Sequence, residues 1–208
     1  MASLATTYHA QGRYDEAEKI YTEVLELRQE VLGKRHPDTI DSMASLATTY
    51  HAQGRYDEAE KIYTEVLELR QEVLGKRHPD TIESMASLAS TYHAQGRYDE
   101  DEKISVEVLE LRQEVLGKRH PDTIDSMAEL ASTYHAQGRY DEAEKIKIEA
   151  LELRQEVLGK RHPDTIESMA SLASTYHAQG RYDEAEDTTT EVLALRQASK
   201  QSEGVLDK

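Results

Sequence analysis

Tyr50-His51-Ala52-Gln53-Gly54-Arg55-Tyr56-Asp57-Glu58 is the stretch that decides the fold, because it recurs without change from Tyr8, Tyr92, Tyr134 and Tyr176. Successive copies lie 42 residues apart. A constant period of this size is the signature of a repeat array. We therefore expect one array of five blocks, the last of which carries a C-terminal cap and tail: 1–42, 43–84, 85–126, 127–168 and 169–208.

Composition limits the classes of partner. The chain of 208 residues has a formal net charge of −16, and the block 43–84 alone carries five cations against eight carboxylates. Nucleic acids and anionic membranes are thereby disfavoured, since both require a basic face. With no Cys, no disulfide or thiolate zinc site can form. The absence of Cys fits a cytosolic or nuclear setting, and we predict a cytoplasmic protein. No apolar run approaches the roughly 18 residues of a membrane span, so we predict a soluble chain.

Each block predicts two helices. From Tyr56 to Leu74 the apolar residues fall at steps of three and four, which indicates one helix of about five turns, helix B, ended by Gly75. The next helix, helix A, begins at Pro79, because proline suits a first helical position, and ends at Gly96. Only a few residues separate A from B, so the pair is expected to be antiparallel and in contact.

One pair of helices has two apolar sides and cannot bury both alone, so neighbouring blocks must stack. The last block differs from the fourth, because Asp187, Thr188, Thr189 and Thr190 replace Lys145, Ile146, Lys147 and Ile148 in its helix B. A polar outer helix is typical of a terminal cap. We expect this helix to end near Ser199.

The repeat resembles the tetratricopeptide repeat. The residues that carry the likeness in the second block are Met43, Leu46, Ala47, Tyr50, Ala59 and Tyr63. Units of 42 residues with a His78-Pro79-Asp80 junction are similar to those of kinesin light chain and of the repeat regions of fungal NACHT-type signalling ATPases. The resemblance implies an all-α fold, a right-handed superhelical solenoid of five helix-turn-helix tetratricopeptide-like repeats.

The same resemblance implies a non-enzymatic scaffold that binds a peptide or protein partner, as the sensor array of a larger signalling protein. The alternative is a structural spacer or self-assembly module, with weak end-to-end self-association. No catalytic motif argues otherwise: the glycine that a phosphate loop requires is missing before Gly75-Lys76. We expect no enzyme activity and no cofactor.

Two histidine series recur, at His9, His51, His93, His135 and His177, and at His36, His78, His120 and His162. Neighbouring members of one series are expected on the order of 10 Å apart, too far for a shared zinc ion with ligands at roughly 2 Å. We therefore predict no metal site. The second series is expected to cap or pack in the loop before the proline.

The partner-binding residues implied by the resemblance lie on helix A, which lines the concave groove in tetratricopeptide domains. They are Thr48, His51, Ser90, His93, Ser132 and His135. The family's lysine and asparagine pattern for a terminal carboxylate is absent, and so is the basic groove expected for acidic cargo peptides of kinesin light chain. A partner segment with apolar and hydrogen-bonding side chains, or with some positive charge, fits better.

Differences between blocks concentrate in helix B, where one equivalent position holds Tyr21, Tyr63, Ser105, Lys147 and Thr189. A lysine in a fully buried site costs a large desolvation energy, so we predict that this position reaches solvent at least partly. Diversification of a recognition surface and neutral drift both explain the variation. The first explanation adds Tyr63, Ser105 and Lys147 to the candidate partner-binding residues.

Asp101 departs from the pattern, because the other blocks have alanine at this position between helices A and B. We expect its carboxylate to reach solvent or to find a hydroxyl such as that of Thr91. If the site is buried, Asp101→Ala should stabilise the chain by about 1 to 3 kcal/mol.

Overall fold

The structure, a computed structural model, describes the backbone of residues 2–206 and the side chains of residues 3–198. Within that range every regular element is an α-helix: α1 (Ala2–Ala10), α2 (Tyr14–Leu32), α3 (Pro37–Ala52), α4 (Tyr56–Leu74), α5 (Pro79–Ala94), α6 (Tyr98–Leu116), α7 (Pro121–Ala136), α8 (Tyr140–Leu158), α9 (Pro163–Ala178) and α10 (Tyr182–Leu206). The prediction of an all-α chain of helix-turn-helix repeats is confirmed. Helices A and B of each block are the odd- and even-numbered helices.

Local sequence sets both ends of the helices. The imidazole Nδ1 of His78 accepts a hydrogen bond from the backbone N–H of Asp80 at 3.2 Å, which caps α5 just before Pro79. His36, His120 and His162 cap α3, α7 and α9 in the same way. The capping role predicted for this series is therefore confirmed. Gly75 ends α4 at a φ of +86°, and a Cβ there would meet nothing within 4 Å, so its backbone conformation, rather than space, requires glycine.

The chain divides into two compact units, residues 1–108 and 109–208. In the first unit the helices from α1 to α5 each pack against the next helix in sequence. In the second unit the same holds from α7 to α10. Short turns between A and B, and between B and the next A, thus produce consecutive antiparallel pairs.

In the first unit, helix A of one block completes the core of the block before it. Leu46 of α3 packs into a cluster with Ala17 and Tyr21 of α2. Leu88 of α5 packs into the equivalent cluster with Tyr63 of α4. In the second unit, Ile166 and Met169 of α9 form a cluster with Val192 of α10. Burial of aliphatic and aromatic surface between consecutive helices is therefore the main stabilising contribution.

A polar link joins the same neighbouring blocks. Glu18 of α2 accepts hydrogen bonds from Gln53 Nε2 at 2.9 Å and from an Arg55 guanidinium N–H at 2.8 Å. The guanidinium of Arg55 also lies 4.1 Å from the centre of the Tyr50 ring, a cation–π distance. The link recurs with the same geometry at Glu60, Gln95 and Arg97 and at Glu144, Gln179 and Arg181.

The last helix differs from its prediction. We expected helix B of the final block to end near Ser199, but α10 continues to Leu206. The residues after Ser199 include no proline, so nothing in them removes a backbone donor from the helical hydrogen-bond ladder. Gly204 lies inside the helix and lowers its stability without ending it.

Candidate interaction surface

The six helix-A residues predicted to bind a partner are polar and carry no carboxylate or ammonium group, and we call those that lie in each unit the helix-A face of that unit. Thr48 and Ser90 are exposed in the first unit, and Ser132 is exposed in the second. The histidines of the helix-A face, His51, His93 and His135, are half-buried. Small residues precede Thr48, at Ala44 and Ser45, whereas an exposed carboxylate, Glu129, precedes Ser132 by one turn. This face can offer hydroxyl and imidazole groups to a partner without first removing a large side chain.

Each histidine of the helix-A face is held by the tyrosine that begins the next helix. The His51 and Tyr56 ring centres lie 5.1 Å apart with an edge-to-face angle of 65°. The same arrangement holds between His93 and Tyr98 and between His135 and Tyr140. Burial, with the positive charge of Lys147, lowers the pKa of His135. Neutral imidazole is therefore favoured at that position near pH 7.

The prediction that the variable helix-B position reaches solvent is wrong for four of its five members. Tyr21 and Lys147 are only 7% exposed, and Tyr63 and Ser105 only 5%. In the first unit the phenol oxygens of Tyr21 and Tyr63 lie 3.0 and 2.8 Å from the hydroxyls of Thr6 and Thr48. Polar side chains remain buried here because each finds a hydrogen-bond partner inside the protein. As folded, these side chains offer a partner almost no surface.

Lys147 shows how a cation is accommodated at this position. Its ammonium donates hydrogen bonds to the backbone carbonyl oxygen of Ser171 at 3.0 Å and to Thr175 Oγ1 at 2.8 Å, both on α9. Among the described residues no carboxylate contributes to the pKa shift of Lys147, and burial is its cause. Burial lowers the pKa of Lys147 to about 8. The charged form is therefore less stable in the folded chain than in water.

Asp101 is buried, like the alanines at the equivalent position of the other blocks, and is only 3% exposed. The carboxylate of Asp101 finds a hydroxyl, as predicted, but it is that of Ser105 and not that of Thr91. Its Oδ1 accepts a hydrogen bond from the Ser105 hydroxyl at 2.8 Å, and its Oδ2 lies 2.8 Å from His93 Nδ1. The hydroxyl of Thr91 instead donates to the Ser87 carbonyl, four residues back on its own helix. The two nearby polar side chains compensate part of the cost of burying this carboxylate.

The helix-A face and its surroundings contain no arrangement suited to nucleophilic catalysis among the described residues. In the one cluster of Ser, His and Asp described above, Asp101 lies between Ser105 and His93, so the histidine cannot take the proton of the serine hydroxyl. No group of three metal-ligating side chains occurs in the described range. None of the described helices combines the length and the low charge needed to cross a bilayer.

A pocket opens beside Lys147 in the second unit, and the sequence analysis missed it. It has a volume of about 170 Å³ and is lined by Ala128, Ser132, Lys147, Ala150, Arg154, Glu167, Ser168 and Ser171. Ala150 occupies the position that is valine in the other four blocks. The block 127–168 is thus the one in which valine becomes alanine and tyrosine becomes lysine at the positions of Val66 and Tyr63. Those two differences were the available signal.

Comparison with known proteins identifies the family. A tetratricopeptide repeat model matches residues 1–71, 43–100 and 127–198, and a second tetratricopeptide repeat model matches 81–122. The chain belongs to the tetratricopeptide repeat family. A comparison with curated protein sequences gave no match.

Solved structures with the same fold extend this tetratricopeptide assignment over the chain. One match is a variant of the nearly identical TPR-like repeats of a Podosopora anserina protein assigned as a kinesin light chain. It is 28% identical to this chain, with a TM-score of 0.87, and the match covers 96% of this chain and 94% of that one. BtubC (BKLC) from P. vanneervenii matches with 25% identity and a TM-score of 0.83, over 95% of this chain and 78% of that one. A Rap protein complexed with Competence and Sporulation Factor matches with 13% identity and a TM-score of 0.72, over 92% of this chain and 51% of that one. At this identity the likeness shows the fold alone.

The predicted likeness to kinesin light chain repeats is therefore confirmed. Neither the family models nor these structures bear on the likeness to NACHT-type ATPases, which stays a prediction.

Proposed function

We propose that this tetratricopeptide array is a non-enzymatic, cytoplasmic scaffold that binds a peptide or protein partner on its helix-A face, as the sensor array of a larger signalling protein. The observation that carries the proposal is the chemistry of that face. In the first unit Thr48 and Ser90 are exposed, and the imidazoles of His51 and His93 beside them are half-buried. In the second unit the same holds for Ser132 and His135. An accessible, hydrogen-bonding surface suits an extended segment of another protein.

The charge of the chain supports one kind of partner over others. A net charge of −16 raises the encounter rate of segments with some positive charge and lowers that of acidic ones. The residues of the helix-A face supply hydrogen-bond donors and acceptors, and exposed carboxylates such as Asp41 and Glu129 lie on the same helices. We therefore expect a partner segment with apolar and hydrogen-bonding side chains and a modest positive charge.

Selection of binding peptides from a displayed library, followed by affinity measurement, tests the proposal. Ser90→Arg combined with Ser132→Arg places two long side chains on the helix-A face, and affinity for the selected peptides should fall at least tenfold. Gln71→Arg combined with Gln113→Arg adds the same charge at exposed helix-B positions and serves as the matched control. Equal affinity in both double variants would contradict binding on this face.

End-to-end stacking is the second candidate function. A groove of about 530 Å³ on α9 and α10, lined in part by Ala173, Ala185 and Leu193, supports it. Leu193 is 54% exposed, so an apolar helix from another molecule would find uncovered surface there. Light scattering over a range of protein concentrations separates the candidates. A mass that rises with concentration favours stacking, and a constant monomer mass rejects it.

A further inference from the structure

The groove on α9 and α10 has the lining that receives a helix A in the first unit. There Leu88 of α5 packs in a cluster with Ala47, Ala59, Tyr63 and the partly buried Leu67. The equivalent residues of the last block all line the groove of about 530 Å³, namely Ala173, Ala185, Thr189 and Leu193. Leu67 is half-buried, whereas Leu193 is 54% exposed. The groove therefore has the form of the site that holds Leu88, but among the described residues no helix A covers it.

Helix α1 carries a side chain of the kind that this groove would hold. Leu4 occupies the helix-A position of Leu46 and Leu88. Leu46 and Leu88 are 5% and 4% exposed, because each packs against helix B of the block before it. Leu4 is 49% exposed. It thus presents to solvent the apolar group that the equivalent leucines bury between blocks.

The acceptor of the polar link between blocks is open at the groove. Glu186 lines the groove and occupies the position of Glu18, Glu60 and Glu144. Those three glutamates are half-buried, and each accepts hydrogen bonds from a glutamine and an arginine of the following block. Glu186 is exposed and accepts no such bond from the described residues. Its carboxylate is therefore available to donors from another molecule.

The matching donors lie directly after α1. Gln11 and Arg13 occupy the positions of Gln53 and Arg55. The guanidinium of Arg13 binds only a carboxylate of its own block among the described residues, that of Glu16 at 2.8 and 3.0 Å. Within the same range the exposed side chain of Gln11 has no hydrogen-bond partner. Leu4, Gln11 and Arg13 thus form one surface that complements the groove in both its apolar and its polar parts.

We propose that a second copy of this chain docks its α1 into the groove on α9 and α10 and reproduces the contact between neighbouring blocks. Leu4 of one copy packs beside Leu193 of the other. Glu186 accepts hydrogen bonds from Gln11 and Arg13 of the second copy. The assignment rests on the second candidate function, end-to-end stacking, because it names the two surfaces that meet. Since these surfaces differ, each added copy leaves one of each kind free, and association can continue beyond a dimer.

Overall charge sets the conditions under which this contact is measurable. Each copy carries a net charge of −16, so two copies repel each other at long range. At about 0.15 M salt the screening length is about 8 Å, which removes most of the long-range repulsion but not an attraction at hydrogen-bond distance. The association of the 208-residue chain should therefore be measured at that ionic strength, by light scattering over a range of protein concentrations.

Exchange of the two charges tests the docked arrangement. When identical copies meet, Glu186→Arg and Arg13→Glu each place two like charges against one another. Either variant alone should therefore associate about tenfold more weakly than the native chain, as expected for the loss of one charge-assisted hydrogen bond. In an equal mixture, every contact between the two variants pairs opposite charges again. Association of the mixture should recover most of the loss.

Matched variants separate this contact from general effects of charge and hydrophobicity. Glu152→Arg and Lys61→Glu make the same charge changes at exposed positions of α8 and α4, outside both surfaces, and should leave association unchanged. Leu4→Ser should weaken association about fivefold, because less apolar area is buried. Val73→Ser, at a position that is 42% exposed on α4, should have no such effect. Because Leu4 is itself exposed, its replacement leaves the folded core intact.

The outcomes distinguish the docked arrangement from stacking in general. A constant monomer mass of the native chain would reject both. A mass that rises with concentration equally in Glu186→Arg, Arg13→Glu and their controls would leave stacking in place but overturn the docking of α1 in this groove. Recovery in the mixture, together with weak association of each variant alone, is the result that the proposal requires. Peptide binding on the helix-A face is a separate matter, because none of its six residues belongs to either surface.

Discussion

Asp101 is the least favourable single residue that the structure reveals. The carboxylate lies where three of the other blocks bury alanine almost completely, at Ala17, Ala59 and Ala143. Hydrogen bonds with Ser105 and His93 compensate part of the desolvation energy of the Asp101 carboxylate, but not all of it. The native block 85–126 is therefore expected to be a weak point of the array.

Restoring the alanine and tyrosine pair of the first two blocks should remove that weakness. Asp101→Ala combined with Ser105→Tyr should raise the free energy of unfolding by about 1 to 3 kcal/mol. Asp101→Ala alone should stabilise the chain less, because it leaves Ser105 and His93 without the carboxylate. Urea unfolding measures both, with Glu110→Ala, at an exposed position of α6, as the control. An unchanged midpoint in the double variant would refute the argument.

Lys147 makes stability depend on pH in a defined direction. Its pKa is about 8 in the folded chain, against 10.5 for an ordinary lysine, so the unfolded chain holds the proton more tightly. The free energy of unfolding of the native chain, relative to that of Lys147→Met, should therefore rise by about 1 to 3 kcal/mol as pH increases from about 8 to 10.5. Urea unfolding at the two ends of this range gives the change. Lys145→Met, on the exposed side of α8, should lack this dependence.

At the scale of the helices, the Glu60 link joins α4 to the turn that follows α5. Burial acts to raise the pKa of Glu60, but hydrogen bonds from Gln95 and Arg97 outweigh it, and the pKa is lowered below 4.5. A carboxyl group with a lowered folded pKa stabilises the chain above its unfolded pKa. That stabilisation is lost as pH falls through the folded value.

Glu60→Gln should accordingly cost about 1 kcal/mol at pH 7, because the charge-assisted bond from Arg97 is weakened. The difference from the native chain should shrink as pH falls from about 4.5 through the lowered folded pKa of Glu60, at which the glutamate of the native chain becomes protonated. Chemical unfolding at a series of pH values measures the difference. Glu68→Gln, at an exposed position of the same helix, is the control. A cost that persists in acid would show that packing, not charge, is responsible.

For the whole molecule, the clusters of the first unit imply that blocks depend on their neighbours. Leu46 completes the core around Tyr21, and Leu88 completes the core around Tyr63. A single block therefore leaves half of its apolar surface in water. The isolated block 43–84 should be largely unfolded under conditions in which residues 1–208 unfold cooperatively. Far-UV circular dichroism during heating tests this, and a single block that melts as sharply and as late as the array would contradict it.

The 42-residue period and the local helix signals were enough to determine the elements of this protein. Proline after a capping histidine, and glycine at a positive φ, act on the backbone within a few residues. For that reason the bounds of α4 and α5 agree with the predicted helices B and A. The resemblance to tetratricopeptide repeats followed from the same local pattern and was confirmed by the family models.

Only the tertiary structure decided what happens at the variable helix-B position. Whether Lys147 is exposed depends on the acceptors that α9 brings to it from 24 and 28 residues further along the chain. In the same way, the partner of Asp101 is set by the orientation of His93 on the preceding helix. The sequence shows which groups are present, but it does not give the distances between them. Burial, pKa and the pocket beside Lys147 all depend on those distances.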